Sequence, residues 1–195
     1  MKAPFIGLFA AAVACSSGVS AQELAQATAA APPATKLEAF SARTGIVLIK
    51  GYTELGSVSG LGSVEVDARE FRDASNPKLR EYGSTFTVKE SGRLERESNC
   101  LVDYDELDSL MKGIEYVGNA DKGVTPLANF EAEFRTKGNL SVTTFSQRQG
   151  GIGLAISCGR IGKTTAYLKQ GDMPALKALV LKAKGILDQA KAAVH

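Results

Sequence analysis

The sequence predicts an α+β domain in which an antiparallel β-meander packs against two amphipathic helices in the order ββββα-ββββα, giving a two-layer fold behind an export leader. Three observations carry that expectation. Short apolar–polar alternations recur along the chain, two longer stretches have helical periodicity, and the first residues have the anatomy of a signal peptide.

Gly45-Ile46-Val47-Leu48-Ile49 is a short β-branched run between breakers and predicts a buried strand. The segment Gly56 to Gly62 is glycine-rich and is expected to be a loop. Val64, Val66 and Ala68 then alternate with Glu65, Asp67 and Arg69, the period of a strand with one wet face. Asp73-Ala74-Ser75-Asn76-Pro77 is a turn signal. Phe86 and Val88 alternate with Thr85, Thr87 and Lys89, and Ser91-Gly92 leads into a fourth strand, Arg93 to Val102. Asp103 is placed to cap the helix that follows, with Glu106 reaching back in a capping box. Leu107, Leu110, Met111, Ile114 and Val117 share one face of that helix.

The second half repeats the order. Phe130, Ala132 and Phe134 alternate with Glu131, Glu133 and Arg135, and further strands are expected near Leu140 to Phe145, Gly151 to Cys158 and Ile161 to Lys169. Gly171-Asp172 opens a last helix with the stripe Leu176, Leu179, Val180, Ala183, Ile186, Leu187 and Ala190. No residue-level identity links the halves, so an internal duplication rests on element order alone.

The domain organisation follows from composition. Met1 and Lys2 precede the apolar run Phe5 to Ala14, which is too short to span a bilayer, and Val19-Ser20-Ala21 supplies the small residues of a cleavage site before Gln22. Residues 1–21 are therefore expected to be a signal peptide and the protein to be exported, either periplasmic or secreted. Ala12-Val13-Ala14-Cys15 also has the pattern of a lipobox, which makes Cys15 a possible lipidation site and a lipid-tethered envelope protein an alternative. Residues 22–42, rich in Ala with Pro32-Pro33, are expected to form a flexible linker, and 43–195 a single domain.

Charge and residue counts narrow the chemistry. The formal charge of the 195-residue chain is +2, and losing Lys2 with the leader leaves +1, which argues against nucleic acid as a partner. No stretch after the leader is long and apolar enough for a transmembrane helix. The one histidine is the terminal His195, so triad and Cys–His catalysis have no internal base, and the usual zinc ligands are lacking. No metal, cofactor-binding or catalytic residue is assigned. Gly159-Arg160-Ile161-Gly162-Lys163-Thr164 ends like a phosphate loop, but Ser157 stands where the first glycine is required, and a hairpin turn is expected instead. The cluster Asp103, Asp105, Glu106 and Asp108 lacks the glycine and distant bidentate Glu of a calcium loop.

Three carboxylate pairs, Glu65 with Asp67, Glu95 with Glu97 and Glu131 with Glu133, lie two apart on strand faces. They read as solvated faces with Arg69, Arg96 and Arg135 as cross-strand partners. Beyond the leader there are two cysteines, Cys100 and Cys158; in an oxidising compartment they are expected to form a disulfide, both sulfurs pointing inward by strand parity. The functional expectation is an exported, non-enzymatic protein that binds an envelope protein or a small apolar ligand. The alternative is a carboxylate-dependent hydrolase acting on envelope sugars or peptidoglycan.

Overall fold

The computed structural model describes residues 34–92 and 95–193. The expected leader and cleavage site, Cys15 and His195 lie outside the described residues. The chain forms α1 (Lys36–Ser41), β1 (Leu48–Gly60), β2 (Gly62–Asp73), β3 (Arg80–Glu90), β4 (Arg96–Asp103), α2 (Leu107–Gly118), β5 (Glu131–Arg135), β6 (Leu140–Ser146), β7 (Ile152–Cys158), β8 (Thr164–Leu168) and α3 (Met173–Ala192). Among the described residues no helix is long and apolar enough to cross a membrane.

The expected α+β class and meander order hold, but the strands divide into two sheets. Sheet A has the order β1-β2-β3-β4 and sheet B the order β5-β6-β7-β8, all neighbours antiparallel. A single eight-stranded layer is not formed because α2 interrupts the meander and because both sheets turn an apolar face to the same core. Val64, Val66, Phe86, Val88 and Val102 of sheet A meet Leu140, Val142, Leu154, Ile156 and Ala166 of sheet B there. The helix stripes complete that core, with Leu107, Leu110, Ile114, Leu176, Val180 and Leu187 buried in it.

The helices are exchanged between the halves. Helix α2 follows sheet A in the chain but lies on β5 and β6, while α3 follows sheet B but lies on β1 and β2; the two helices also touch each other. Side-chain bonds join the sheets between β4 and the β7–β8 pair. Cys100 on β4 and Cys158 on β7 are buried with their sulfurs 2.05 Å apart, at disulfide distance, and the Ser98 and Thr164 hydroxyls meet at 2.7 Å beside them.

The run Gly45 to Ile49 is not the buried strand expected, since β1 begins at Leu48 and both Val47 and Ile49 are exposed. Three further expectations are corrected. The glycine-rich stretch from Gly56 is not a loop, because β1 runs to Gly60 and turns through Leu61 into β2. The glycines are there for close approach. A Cβ on Gly60 would stand 2.6 Å from the Tyr167 carbonyl, and one on Gly62 2.4 Å from the Lys89 carbonyl. This lets Leu61 exchange two backbone hydrogen bonds with Tyr167, 2.8 and 2.9 Å, and close the edge of β8.

The second correction concerns residues 22–42. The end of that stretch is helix α1, whose Thr35 hydroxyl accepts from the Glu38 amide while the Glu38 carboxylate accepts from the Thr35 amide, a complete capping box. Leu37 and Phe40 of α1 pack with Phe71 on the outer face of sheet A. Gly83 makes room, since a Cβ there would lie 2.5 Å from Leu37 Cδ1.

The third concerns Asp103, which makes no cap bond to the helix beside it, since a 3-10 turn over Tyr104–Glu106 intervenes. Its buried carboxylate instead accepts the Lys36 and Leu37 amides at 2.8 and 3.2 Å, capping α1 from across the fold.

Candidate functional site

The acidic cluster at the start of α2 has no common focus. Asp103 is committed to α1, Asp105 pairs with Lys36 at 2.9 Å, Glu106 accepts the Lys137 amide at 3.0 Å, and Asp108 faces Lys184 at 3.8 Å. No group of three or more His, Cys, Asp or Glu that would hold a metal ion is found among the described residues. The Gly159 to Gly162 stretch is the hairpin turn joining β7 to β8, not a strand-to-helix phosphate loop.

The carboxylate pairs sit on open strand faces. Lys89 reaches Glu65 at 2.7 Å and Glu97 at 4.0 Å across sheet A, and Arg96 meets Glu90 across β3 and β4 at 3.1 Å, the cross-strand arrangement expected. Arg69 and Arg135 instead bond along their own strands, to Asp67 at 2.7 Å and Glu133 at 2.6 Å. Side chains two apart share a face, and the Arg stem is long enough to fold back on its neighbour. Arg69 also stacks on Tyr52, its cross-strand neighbour, 4.7 Å from the ring centroid.

The surface hollows of ligand size include two of contrasting character. The larger, about 560 Å³, lies where the end of α2 meets the start of α3, against Ile114, Met173 and Pro174. Glu115 pairs with Lys177 at 2.8 Å, and the Gln170 amide donates to the Gly118 carbonyl at 3.0 Å. It is a joint between helices whose polar side chains are few, Asn119 being the other one.

The second hollow, about 400 Å³, is a trough on the outer face of sheet B. Strand register builds it in rows. Arg135, Ser141, Ser157 and Thr165 stand side by side across the four strands; Glu133, Thr143, Ala155 and Tyr167 form the next row; Glu131, Phe145 and Gly153 form the third. Strand β7 contributes only small groups, Gly153 under the Phe145 ring and Ala155 and Ser157 in the lining, so the floor is low there and the neighbours rise as walls. Phe145 and Tyr167 flank it edge to face, ring centroids 6.5 Å apart, and Tyr167 is 47% exposed. Lys163 stands at the rim.

The polar groups of the trough are of complementary kinds. Arg135 and Lys163 donate, Glu131 and Glu133 accept, and the hydroxyls of Ser141, Thr143, Ser157, Thr165 and Tyr167 do either. The Ser157 and Thr165 hydroxyls are linked at 2.9 Å. The Ser141 hydroxyl is buried beneath the rows with no partner at full hydrogen-bonding geometry. Partial burial disfavours ionisation of Glu133, but the Arg135 guanidinium, the Ser141 hydroxyl nearby and the charge of Lys163 outweigh it and hold the carboxyl below its ordinary value. A glycosidase acid needs the opposite shift. The displaced carboxyls of Asp105, Glu115 and Asp188 are lowered as well, each chiefly by a hydrogen bond, from Lys36, Lys177 and Tyr104 respectively.

Sequence reading had Glu131, Glu133 and Arg135 in view as a solvated face but not the hydroxyl rows, because rows exist only once register is fixed. Compared with known protein families, curated proteins and solved structures, the chain matches none.

Proposed function

We propose that the protein is an exported, non-enzymatic binding protein of the cell envelope and that the trough on sheet B is its ligand surface. The observation that carries this reading is the composition of the trough: fixed donors, fixed acceptors and two-way hydroxyls beside two aromatic edges. A ligand dense in hydroxyl groups, each both donor and acceptor, satisfies that mixture best, so the preferred ligand class is a neutral saccharide such as an envelope glycan. The lowered carboxyl of Glu133 favours binding over hydrolysis, since it stays ionised and accepts hydrogen bonds at neutral pH. The leader and the buried pair Cys100 and Cys158 support an oxidising compartment outside the cytoplasm.

Co-sedimentation with purified peptidoglycan sacculi and calorimetry with chitotetraose test the reading. Retention that falls about tenfold or more in Tyr167→Ala, with folding intact, is the expected result, as aromatic contacts anchor such sites. Absence of binding to both probes, or binding indifferent to Tyr167, defeats it. Release of shortened sugars from either probe would replace it with the hydrolase alternative.

A further inference from the structure

Strand β5 is an edge of sheet B, and its hydrogen-bonding direction can be read from its two ends. The Ser146 amide donates to Phe130 O and the Thr136 amide to Leu140 O, so the even-numbered residues of this segment turn their backbone groups toward β6. The odd ones, Glu131, Glu133 and Arg135, therefore turn theirs toward the open edge. The opposite edge of the same sheet, β8, is closed by Leu61.

Charged side chains on an edge strand ordinarily discourage pairing between copies. Here the order of signs does the reverse. If a second chain lies antiparallel along β5 with Phe134 opposite Phe134 of the partner subunit, Glu133 stands opposite Arg135 of the partner subunit, and the relation repeats by symmetry. The same alignment places the outward backbone groups of residues 133 and 135 in hydrogen-bonded pairs. Shifting the alignment by two residues, the next register that keeps outward groups facing one another, sets Glu133 against Glu133 of the partner subunit, a like-charge contact that the first register avoids. Beside this edge, Tyr116 is 73% exposed, Val124 46% and Leu127 72%, with a hollow of about 440 Å³ between Tyr116, Val124 and Phe130. These supply apolar surface for an isologous contact.

From this edge geometry and charge order we infer that the protein forms a two-fold homodimer through β5, joining the two B sheets into one eight-stranded sheet. In the single chain Arg135 folds back on Glu133 at 2.6 Å; in the dimer each guanidinium lies between its own Glu133 and that of the other copy. The troughs then lie side by side on one continuous face.

Sedimentation velocity of the purified protein across the micromolar range tests this, together with charge exchange. The wild type is expected to sediment as a dimer. Arg135→Glu and Glu133→Arg each place like charges opposite one another twice and are expected to weaken association about tenfold or more. The double variant Glu133→Arg with Arg135→Glu restores opposite signs in the same register and is expected to recover the dimer. Hydrogen exchange gives a readout independent of the variants, since the amides of Glu133 and Arg135 should lose protection on dilution through the dissociation range. A wild-type monomer, a dimer indifferent to either single variant, a double variant that stays monomeric, or a β5 edge that pairs with a foreign strand in place of a second copy overturns the inference.

Discussion

The two sheets share a core on their inner faces and differ on their outer ones. Sheet A carries α1 on part of its outer face, where Leu37 and Phe40 seal against Phe71, so that region belongs to a second small core. Among the described residues sheet B carries no element on the corresponding face, and its rows of hydroxyls and charges line a trough with a small-residue floor. The same strand chemistry thus yields a covered face that stabilises and a bare face free to bind. What separates them is a six-residue helix and the buried carboxylate that holds it.

The largest expected effect removes the covalent link between the two sheets. Replacing Cys100 and Cys158 by Ala together should cost about 4 kcal/mol on the chain-entropy view of a loop of 58 residues, seen as a lower midpoint in urea unfolding. An unchanged midpoint would mean that the shared core alone fixes the sheets. Next, Leu37→Ala should cost about 3 kcal/mol by emptying the seal on sheet A, whereas Tyr167→Ala on the bare face of sheet B should change stability by less than about 0.5 kcal/mol. Equal losses in the two variants would erase the distinction between covered and open faces.

Asp103→Ala comes third. It leaves the Lys36 and Leu37 amides without an acceptor and should cost about 1–2 kcal/mol, with faster hydrogen exchange at those two amides. The smallest effect is a pH dependence. A hydrogen bond from Lys36, aided by its charge, lowers the Asp105 carboxyl, while the same bond raises Lys36. A lowered carboxyl contributes stability above the ordinary carboxylate range that disappears as pH falls through its folded value. A raised amine contributes below the ordinary lysine value and loses its part as pH climbs past it. Both groups are about half exposed, so the pair is worth only tenths of a kcal/mol. The difference in stability between wild type and Asp105→Asn should accordingly shrink in acid, below about pH 4, and again in strong alkali.

Much of the fold was legible as alternation and periodicity. Val64, Val66 and Ala68 do face the core from β2, and Leu107, Leu110, Ile114 and Val117 do form the buried stripe of α2. What was missed depends on contacts distant in sequence. The glycines at the β1–β2 turn look like a loop until Tyr167 and Lys89 are known to stand against Gly60 and Gly62. Helix α1 is too short for a period, although Thr35-x-x-Glu38 is a capping-box pattern that would have marked it. Asp103 has the residue type and position of a local cap, and nothing in the string distinguishes a near helix from one 66 and 67 residues away. The trough was least legible, since Ser141, Ser157 and Thr165 are ordinary strand residues until pairing sets them in line.

The exchange of helices constrains the order in which the molecule can be completed. The first hairpin waits for α3 to cover it, a closure that spans 127 residues where Lys182 Nζ meets the Leu55 carbonyl at 3.3 Å. Neither half can bury its sheet with its own helix, so a nascent chain keeps apolar strand surface open until the last helix arrives. Such a chain stays pliable through most of its synthesis and becomes rigid only when its final long element is free to pack.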